Sequence, residues 1–167
     1  MTENSHVSAD RRARRTEQAI FVAFRDLVLS RPYDEIRVAD IVERADIGRS
    51  TFYAHYRNKD EVLTQSITWL FEVLADAAVG RPDKERLKLV VAHFHEQRHI
   101  ARAYFCDRPL RLLTDRLAHL IEARERQPLY ARALAAAQLE ILRAWICGWL
   151  VVSQEQVLDS ITTPFTN

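Results

Sequence analysis

Three glycines and five prolines are all that this 167-residue chain holds of the residues that interrupt helices. With long stretches rich in Ala, Leu, Arg and Glu, that scarcity argues for an all-α chain. Cysteine is as sparse. Cys106 and Cys147 are the two present and share no CxxC spacing, which excludes a disulfide framework and a thiolate metal site and leaves both as expected buried thiols. No apolar run approaches the ~20 residues that a membrane span requires. The most apolar stretch, Ala144 to Val152, is far shorter and is preceded by Gln138, Glu140 and Arg143. The N-terminus is polar and charged, without the apolar segment of a signal peptide, so a cytoplasmic protein with no membrane contact is expected. Also missing are a glycine-rich phosphate loop, a Ser or Cys nucleophile beside a base motif, and paired carboxylates outside ordinary charged helix faces. No enzyme chemistry and no cofactor are expected.

An excess of one charge is absent too: 24 Lys and Arg stand against 23 Asp and Glu, a formal net charge of +1. Such a sum speaks poorly for a nucleic-acid binder, whose phosphate contacts are carried by Lys and Arg. Distribution matters more than the sum. Arg11, Arg12, Arg14 and Arg15 crowd the start of the first helix, where they read either as a solvated basic tail or as a binding surface.

What the chain does have is concentrated between Ile36 and Leu63, IRVADIVERADIGRSTFYAHYRNKDEVL. Ile36, Val38, Ile41, Val42 and Ala45 form a one-sided apolar set. Asp46-Ile47-Gly48 makes a turn, with Ile47 placed to plug the gap between two helices. The second helix opens on Arg49, Ser50 and Thr51, where a recognition helix meets bases and phosphates. Phe52 and Tyr56, four apart, can pack inward and leave Tyr53 and His55 on other faces. Asn58 followed by Glu61 is a capping-box variant that starts a new helix at Lys59. Two short helices around a tight turn, then a capped helix, is the pattern of a helix-turn-helix that reads DNA.

The segment GRSTFYAHYRNKDEVL, with Tyr33-Asp34-Glu35-Ile36 ahead of it, resembles the signature of the TetR (tetracycline-repressor) family of bacterial transcription regulators. The resemblance covers Arg15 to Leu63, and no comparable motif is read in the remainder. Three positions depart from the family's habit. Asp46 takes the place of a turn glycine at a residue expected to need positive φ. Gly48 replaces Ser as N-cap without a side-chain oxygen. Arg37 replaces a capping Thr, giving up the cap, and is expected to reach the DNA backbone by charge instead. The resemblance implies base-edge reading by Arg49 and Ser50, the arginine gripping guanine bidentately. It implies phosphate contacts by Thr51, Tyr53, His55, Arg37 and Lys59, the last at a helix start. It also implies that Arg11, Arg12, Arg14 and Arg15 lie along DNA or enter a narrow minor groove.

A chain of this size suffices for a small DNA-binding domain and a modest helical core. The expected division is a disordered extension over 1–9, a helix-turn-helix domain over 10–58, a helical effector-binding and dimerisation domain over 59–155, and a tail over 156–167. Helix one should run from about Asp10 to Ser30, its Ile20, Phe21, Phe24, Leu27 and Val28 packing on Ile41, Phe52 and Tyr56. A helix from Lys59 meets no breaker before Gly80-Arg81-Pro82 and is expected unbroken, a mechanical link between the halves. Helices are further expected from Asp83 to about Arg98, from Ile100 to Cys106, and from Pro109 and Pro128 onward. The last two carry apolar stripes at Leu113, Leu117, Leu120 and Ile121, and at Leu134, Ile141, Leu142, Trp145 and Trp149. That is more apolar surface than a small monomer covers, which suggests a homodimer interface. Gly148, inside the second stripe, is read as a close helix crossing.

In the TetR family the last two long helices pair with their symmetry mates, and a ligand pocket forms among the central helices. Here the resemblance points to Trp69, Phe71, Val73, Phe94, Tyr104 and Phe105, a set suited to a hydrophobic or aromatic effector, although each also reads as plain core. His95 and His99, four apart with His93, Glu96 and Cys106 nearby, raise a metal-responsive alternative, but FHEQRH lacks a second ligand pair, and no metal is expected. The expected function is thus a ligand-responsive repressor acting as a homodimer on a palindromic DNA operator. The alternative is a TetR-like constitutive DNA-binding or protein-interaction module without effector control.

Overall fold

In the computed structural model, residues 3–105, 109–125 and 127–162 are described, and every element among them is helical. The chain falls into two compact units, residues 1–66 and 67–167.

The first unit holds α1 (Glu3–Ser30), a 3-10 turn (Tyr33–Glu35), α2 (Val38–Arg44), α3 (Arg49–His55) and α4 (Lys59–Ser66). α1 begins at Glu3, earlier than the start near Asp10 that its apolar stripe suggested, and its basic segment carries an i,i+4 pair between Asp10 and Arg14 at 3.1 Å. The 1–9 segment is therefore helical from residue 3 rather than a disordered extension. Ile20, Phe24 and Leu27 of α1, Ile41 of α2, Phe52 of α3, and Val62 and Leu63 of α4 are all buried, with α1 packed on α2 and α4 and α2 on α3. The turn between α2 and α3 places Asp46 at φ 51°, the left-handed conformation expected of it, while the Ile47 N–H returns to the Val42 carbonyl at 3.2 Å. At the start of α4 the Glu61 N–H donates to Asn58 Oδ1 at 2.9 Å, and the Glu61 carboxylate accepts from the Arg57 N–H at 2.7 Å. The capping motif read from Asn58 and Glu61 thus forms, shifted by one residue on its return arm.

Regular helix lapses at Ile67 (φ −110°, ψ 0°), so α4 and α5 (Thr68–Ala78) are separate helices rather than one unbroken link. The cause is local. Ser66 Oγ donates to the Leu63 carbonyl at 2.7 Å, the acceptor that the Ile67 N–H would take in a continuing helix, and Thr64 does the same to Glu61 at 3.1 Å.

The second unit continues with α6 (Lys84–Glu96), α7 (Arg98–Phe105), α8 (Pro109–Glu125), α9 (Pro128–Cys147) and α10 (Gln154–Thr162). Asp83 caps α6 by accepting from the Arg86 N–H at 3.1 Å, and prolines open α8 and α9 as expected. α8 and α9 pack along each other, and α5 lies against α8. Arg124 of α8 clamps α5 through Glu72 at 2.6 Å and Asp76 at 2.7 Å. Burial works against its charge, but these two carboxylates outweigh that and raise its pKa.

Three expectations for this unit change. Gly148 ends α9 instead of marking a crossing inside it. At φ 81° it adopts the left-handed cap, with the Trp149 N–H on the Ala144 carbonyl at 2.8 Å, a Schellman arrangement. Arg98 and Arg102 of α7 then satisfy the last carbonyls, Arg98 Nε on Ile146 at 2.8 Å and Arg102 Nε on the same oxygen at 3.0 Å. Second, the tail expected over 156–167 is a helix through Thr162. Ser153 and Gln156 cap each other reciprocally, at 3.2 and 2.9 Å, and Val157 and Ile161 are buried. Residues 163–167 lie outside the described residues.

Third, the apolar stripes serve this chain's own core. Leu113, Leu117 and Ile121 of α8 and Leu134, Leu142 and Trp145 of α9 are buried within the second unit, so they are not surface for a twin subunit. Leu120 and Ile141 are half-buried. Trp149 is 59% exposed but lies beyond α9, with the Arg143 guanidinium 4.7 Å from its ring centre.

Candidate nucleic-acid interface

The local logic of α3 separates its faces. Phe52 and Tyr56 point inward as expected, with ring centroids 6.0 Å apart and Phe21 of α1 5.9 Å from Tyr56. Burial, reinforced by the nearby Glu17 and Glu61 charges, pushes the Tyr56 phenol up to about 12. Opposite them, Arg49, Ser50, Tyr53 and Ala54 are exposed, and Thr51 is half-buried. Tyr53, at 58% exposure, meets the Phe52 edge at 5.5 Å, so its ring is held while its hydroxyl end stays open. Ala54 shares this face but escaped the sequence reading, although Ser50 to Ala54 is an i,i+4 step.

Gly48 is the N-cap of α3 in extended backbone (φ −74°, ψ 150°), with no side-chain cap. Arg37 is the exposed N-cap of α2. Its own side chain caps nothing, but the Asp40 carboxylate accepts from its N–H at 2.7 Å, a compensation three residues on that the sequence reading missed. Arg11, Arg12, Arg14 and Arg15 are all exposed along helical α1, so they present a helical basic face rather than an extended arm.

Two of the expected phosphate ligands are engaged within the unit. His55 is half-buried, with Nδ1 3.5 Å from Glu17 Oε1. Lys59 donates to the carbonyls of Tyr33 at 2.6 Å and Ile36 at 2.9 Å. Nearby, Arg44 bonds Asp26 at 2.9 Å; that hydrogen bond, opposed by partial burial and aided by Arg25, lowers the Asp26 pKa.

In the second unit, Phe71, Val73, Phe94 and Phe105 of the expected ligand pocket are buried, and Phe94 meets Phe105 edge to face at 5.6 Å. Tyr104 is half-buried, while Trp69 is 48% exposed, its ring 5.5 Å from that of His93. Gln138, which the sequence reading passed over, is fully buried. Its Nε2 donates to the carbonyls of Leu74 at 3.1 Å and Ile161 at 2.8 Å, and its Oε1 has no hydrogen-bond partner among the described residues. His95 stacks on Trp145 at 5.6 Å, and no group of metal-ligating side chains exists among the described residues. Cys106 lies outside them. No described helix is long and apolar enough to cross a membrane.

A short helix with an open polar face, seated by its own aromatics across a left-handed turn from α2, defines a helix-turn-helix protein with a helical second half. Residues 12–65 match the model of the bacterial regulatory proteins of the tetR family. The chain is 42% identical over 57 residues to the HTH-type dhaKLM operon transcriptional activator DhaS of Lactococcus lactis subsp. lactis (strain IL1403), over 34% of this chain and 28% of that protein. It is also 42% identical over 59 residues to the uncharacterized HTH-type transcriptional regulator YxbF of Bacillus subtilis (strain 168), over 35% of this chain and 16% of that one. The chain thus matches less than a third of the length of either curated relative. Along nearly its whole length the fold resembles a TetR transcriptional regulator from Streptococcus agalactiae 2603V, with 27% identity, a TM-score of 0.61, and 95% and 98% of the two chains covered. The solved structure of the dihydroxyacetone kinase operon activator DhaS shares the fold at 24% identity and a TM-score of 0.50, over 89% of this chain and 93% of that one. The match to the tetR family is thus to the helix-turn-helix third of the chain, and over the rest the likeness is one of fold.

Proposed function

We propose that this protein is a DNA-binding transcriptional regulator that works as a homodimer on a palindromic operator and releases it when an effector binds. The observation that carries the reading is the open face of α3: Arg49, Ser50, Tyr53 and Ala54 stand exposed on a helix whose opposite side is locked by Phe52 and Tyr56. On this reading Arg49 and Ser50 read base edges, the arginine gripping guanine, Ala54 meets a thymine methyl, and Thr51 and Tyr53 bond phosphate. The basic face of α1 adds the sequence-independent attraction. Because the α8 and α9 stripes are buried internally, a twin subunit would meet what remains outside, including Leu120, Ile141 and the exposed run Trp149 to Val152.

The effector is proposed as hydrophobic or aromatic, held near the Phe94–Phe105 pair, and it relieves binding only by favouring the conformation with lower DNA affinity. Repression is the first reading for the sign of control. Activation is the second, supported by the likeness to DhaS, which is named for activating an operon.

Selection of bound duplexes from a random pool, followed by a salt titration, tests this. An enriched inverted repeat with affinity falling steeply as salt rises is expected, and Arg49→Ala should relax selectivity at one base position of each half-site. No enriched motif would sink the proposal.

A further inference from the structure

Lys59, at the first position of α4, spends its ammonium inside the first unit. Two of its three N–H groups are committed to carbonyls 26 and 23 residues upstream, those of Tyr33 and Ile36. Its charge lies 4.3 Å from the centre of the Tyr33 ring. The neighbouring Asp60 carboxylate accepts from the Tyr33 hydroxyl. Lys59 and Asp60 therefore grip Tyr33 at both its backbone and its side-chain end. The two carbonyls bracket the 3-10 turn, and the Ile36 carbonyl immediately precedes Arg37, the N-cap of α2. A phosphate could take this ammonium fully only if two short charge-assisted bonds to buried backbone were surrendered.

We propose that Lys59 is a positioning residue: with Asp60 it ties the first turn of α4 to the Tyr33–Ile36 segment, sets where α2 starts, and so fixes the attitude of α3 without gripping phosphate. The inference rests on the DNA-binding reading, and two measurements let each fail separately. On the DNA-free full chain, Lys59→Met is expected to speed hydrogen exchange at the Ile36, Asp40 and Ile41 amides on the order of tenfold. Exchange equal to wild type overturns the tether.

On the selected duplex, the same variant, still folded, is expected to bind more weakly at every salt concentration with an unchanged slope. A slope shallower by ~0.9 reveals a lost phosphate contact and overturns the proposal, as does unchanged affinity. Lys59→Arg keeps the charge and donors for both carbonyls and should restore most of the affinity; an arginine variant no tighter than Lys59→Met counts against the proposal. Should Lys59→Met fail to fold, Tyr33→Phe removes only the bond to Asp60, and is expected to loosen the same amides while keeping the wild-type salt slope; unchanged exchange there overturns the tether. If the wild-type chain selects no duplex, the DNA-binding reading falls and the exchange result alone decides the tether.

Discussion

Replacing Gln138 once with leucine and once with glutamate turns its unusual setting into an asymmetric prediction. The side chain is 0% exposed, and its amide hydrogens bridge α5 and α10 through the Leu74 and Ile161 carbonyls. Leucine removes two neutral hydrogen bonds, each contributing about 1 kcal/mol net, and strands the Ile161 carbonyl near the end of α10. It also removes the buried Oε1, which has no partner among the described residues and costs about 1 to 3 kcal/mol where it stands. Relief of Oε1 offsets the two lost bonds and leaves the stranded carbonyl, so Gln138→Leu should cost about 1 to 2 kcal/mol. Glutamate has a similar shape but faces two carbonyl oxygens with acceptors only. Held in that environment its carboxyl stays protonated, and at pH 7 the cost is on the order of 3 kcal/mol. The sign follows from linkage. A carboxyl whose folded pKa is raised contributes its stability below the unfolded value and loses it as pH rises through the folded one, so Gln138→Glu should be firmest in acid. Urea unfolding followed by tryptophan fluorescence measures this for the second unit alone, because Trp69, Trp145 and Trp149 all lie there. A leucine variant losing more than about 3 kcal/mol, with glutamate no worse, would refute the reasoning and mean that Oε1 is satisfied.

Three further outcomes are expected. Gly48→Ser should stabilise the first unit by about 0.5 to 1 kcal/mol, because φ is ordinary there, a Cβ would meet only Thr51 Oγ1 at 3.6 Å and Ser50 Oγ at 3.7 Å, and serine adds the missing cap; thermal unfolding of the first-unit signal checks it. Arg98→Met should cost about 2 kcal/mol by stripping the α9 carbonyls of Trp145 and Ile146 of a charged donor, seen as a lower urea midpoint by fluorescence. Tyr56, with its pKa raised to about 12, contributes stability that is complete below pH 10 and is lost between pH 10 and 12. In Tyr56→Phe that alkaline decline of the first unit should flatten, measured by circular dichroism against pH.

The helix-turn-helix was legible because its information is local. Ile41, Phe52 and Tyr56 announce a buried side by spacing alone, Asn58 and Glu61 announce a cap, and Asp46 announces a left-handed turn that the backbone adopts. Some of what was missed was equally local. Ser153 with Gln156, followed by Val157 and Ile161, spells a capped helix, and Gly148 is the residue type that most readily ends a helix in a left-handed cap. Both were overlooked because neighbouring apolar residues extended the α9 stripe past its stop.

The remainder was never in the pattern. Periodicity says which side of a helix avoids water, not what covers it, so the stripes at Leu113, Leu117, Leu134 and Leu142 fit an internal core and a subunit interface equally well. In the same way, Lys59 and His55 are cations at positions where cations meet phosphate. Only the approach of the Tyr33 and Ile36 carbonyls, and of the Glu17 carboxylate, from far along the chain gives them partners within it. By itself the sequence determined the helical class, the helix-turn-helix and its inward aromatics, because these depend on spacing and on turn and cap chemistry within a few residues. Tertiary structure decided which apolar faces meet each other and which charges remain open to a ligand, because a hydrogen-bond donor or an apolar surface is satisfied by whatever lies nearest in space.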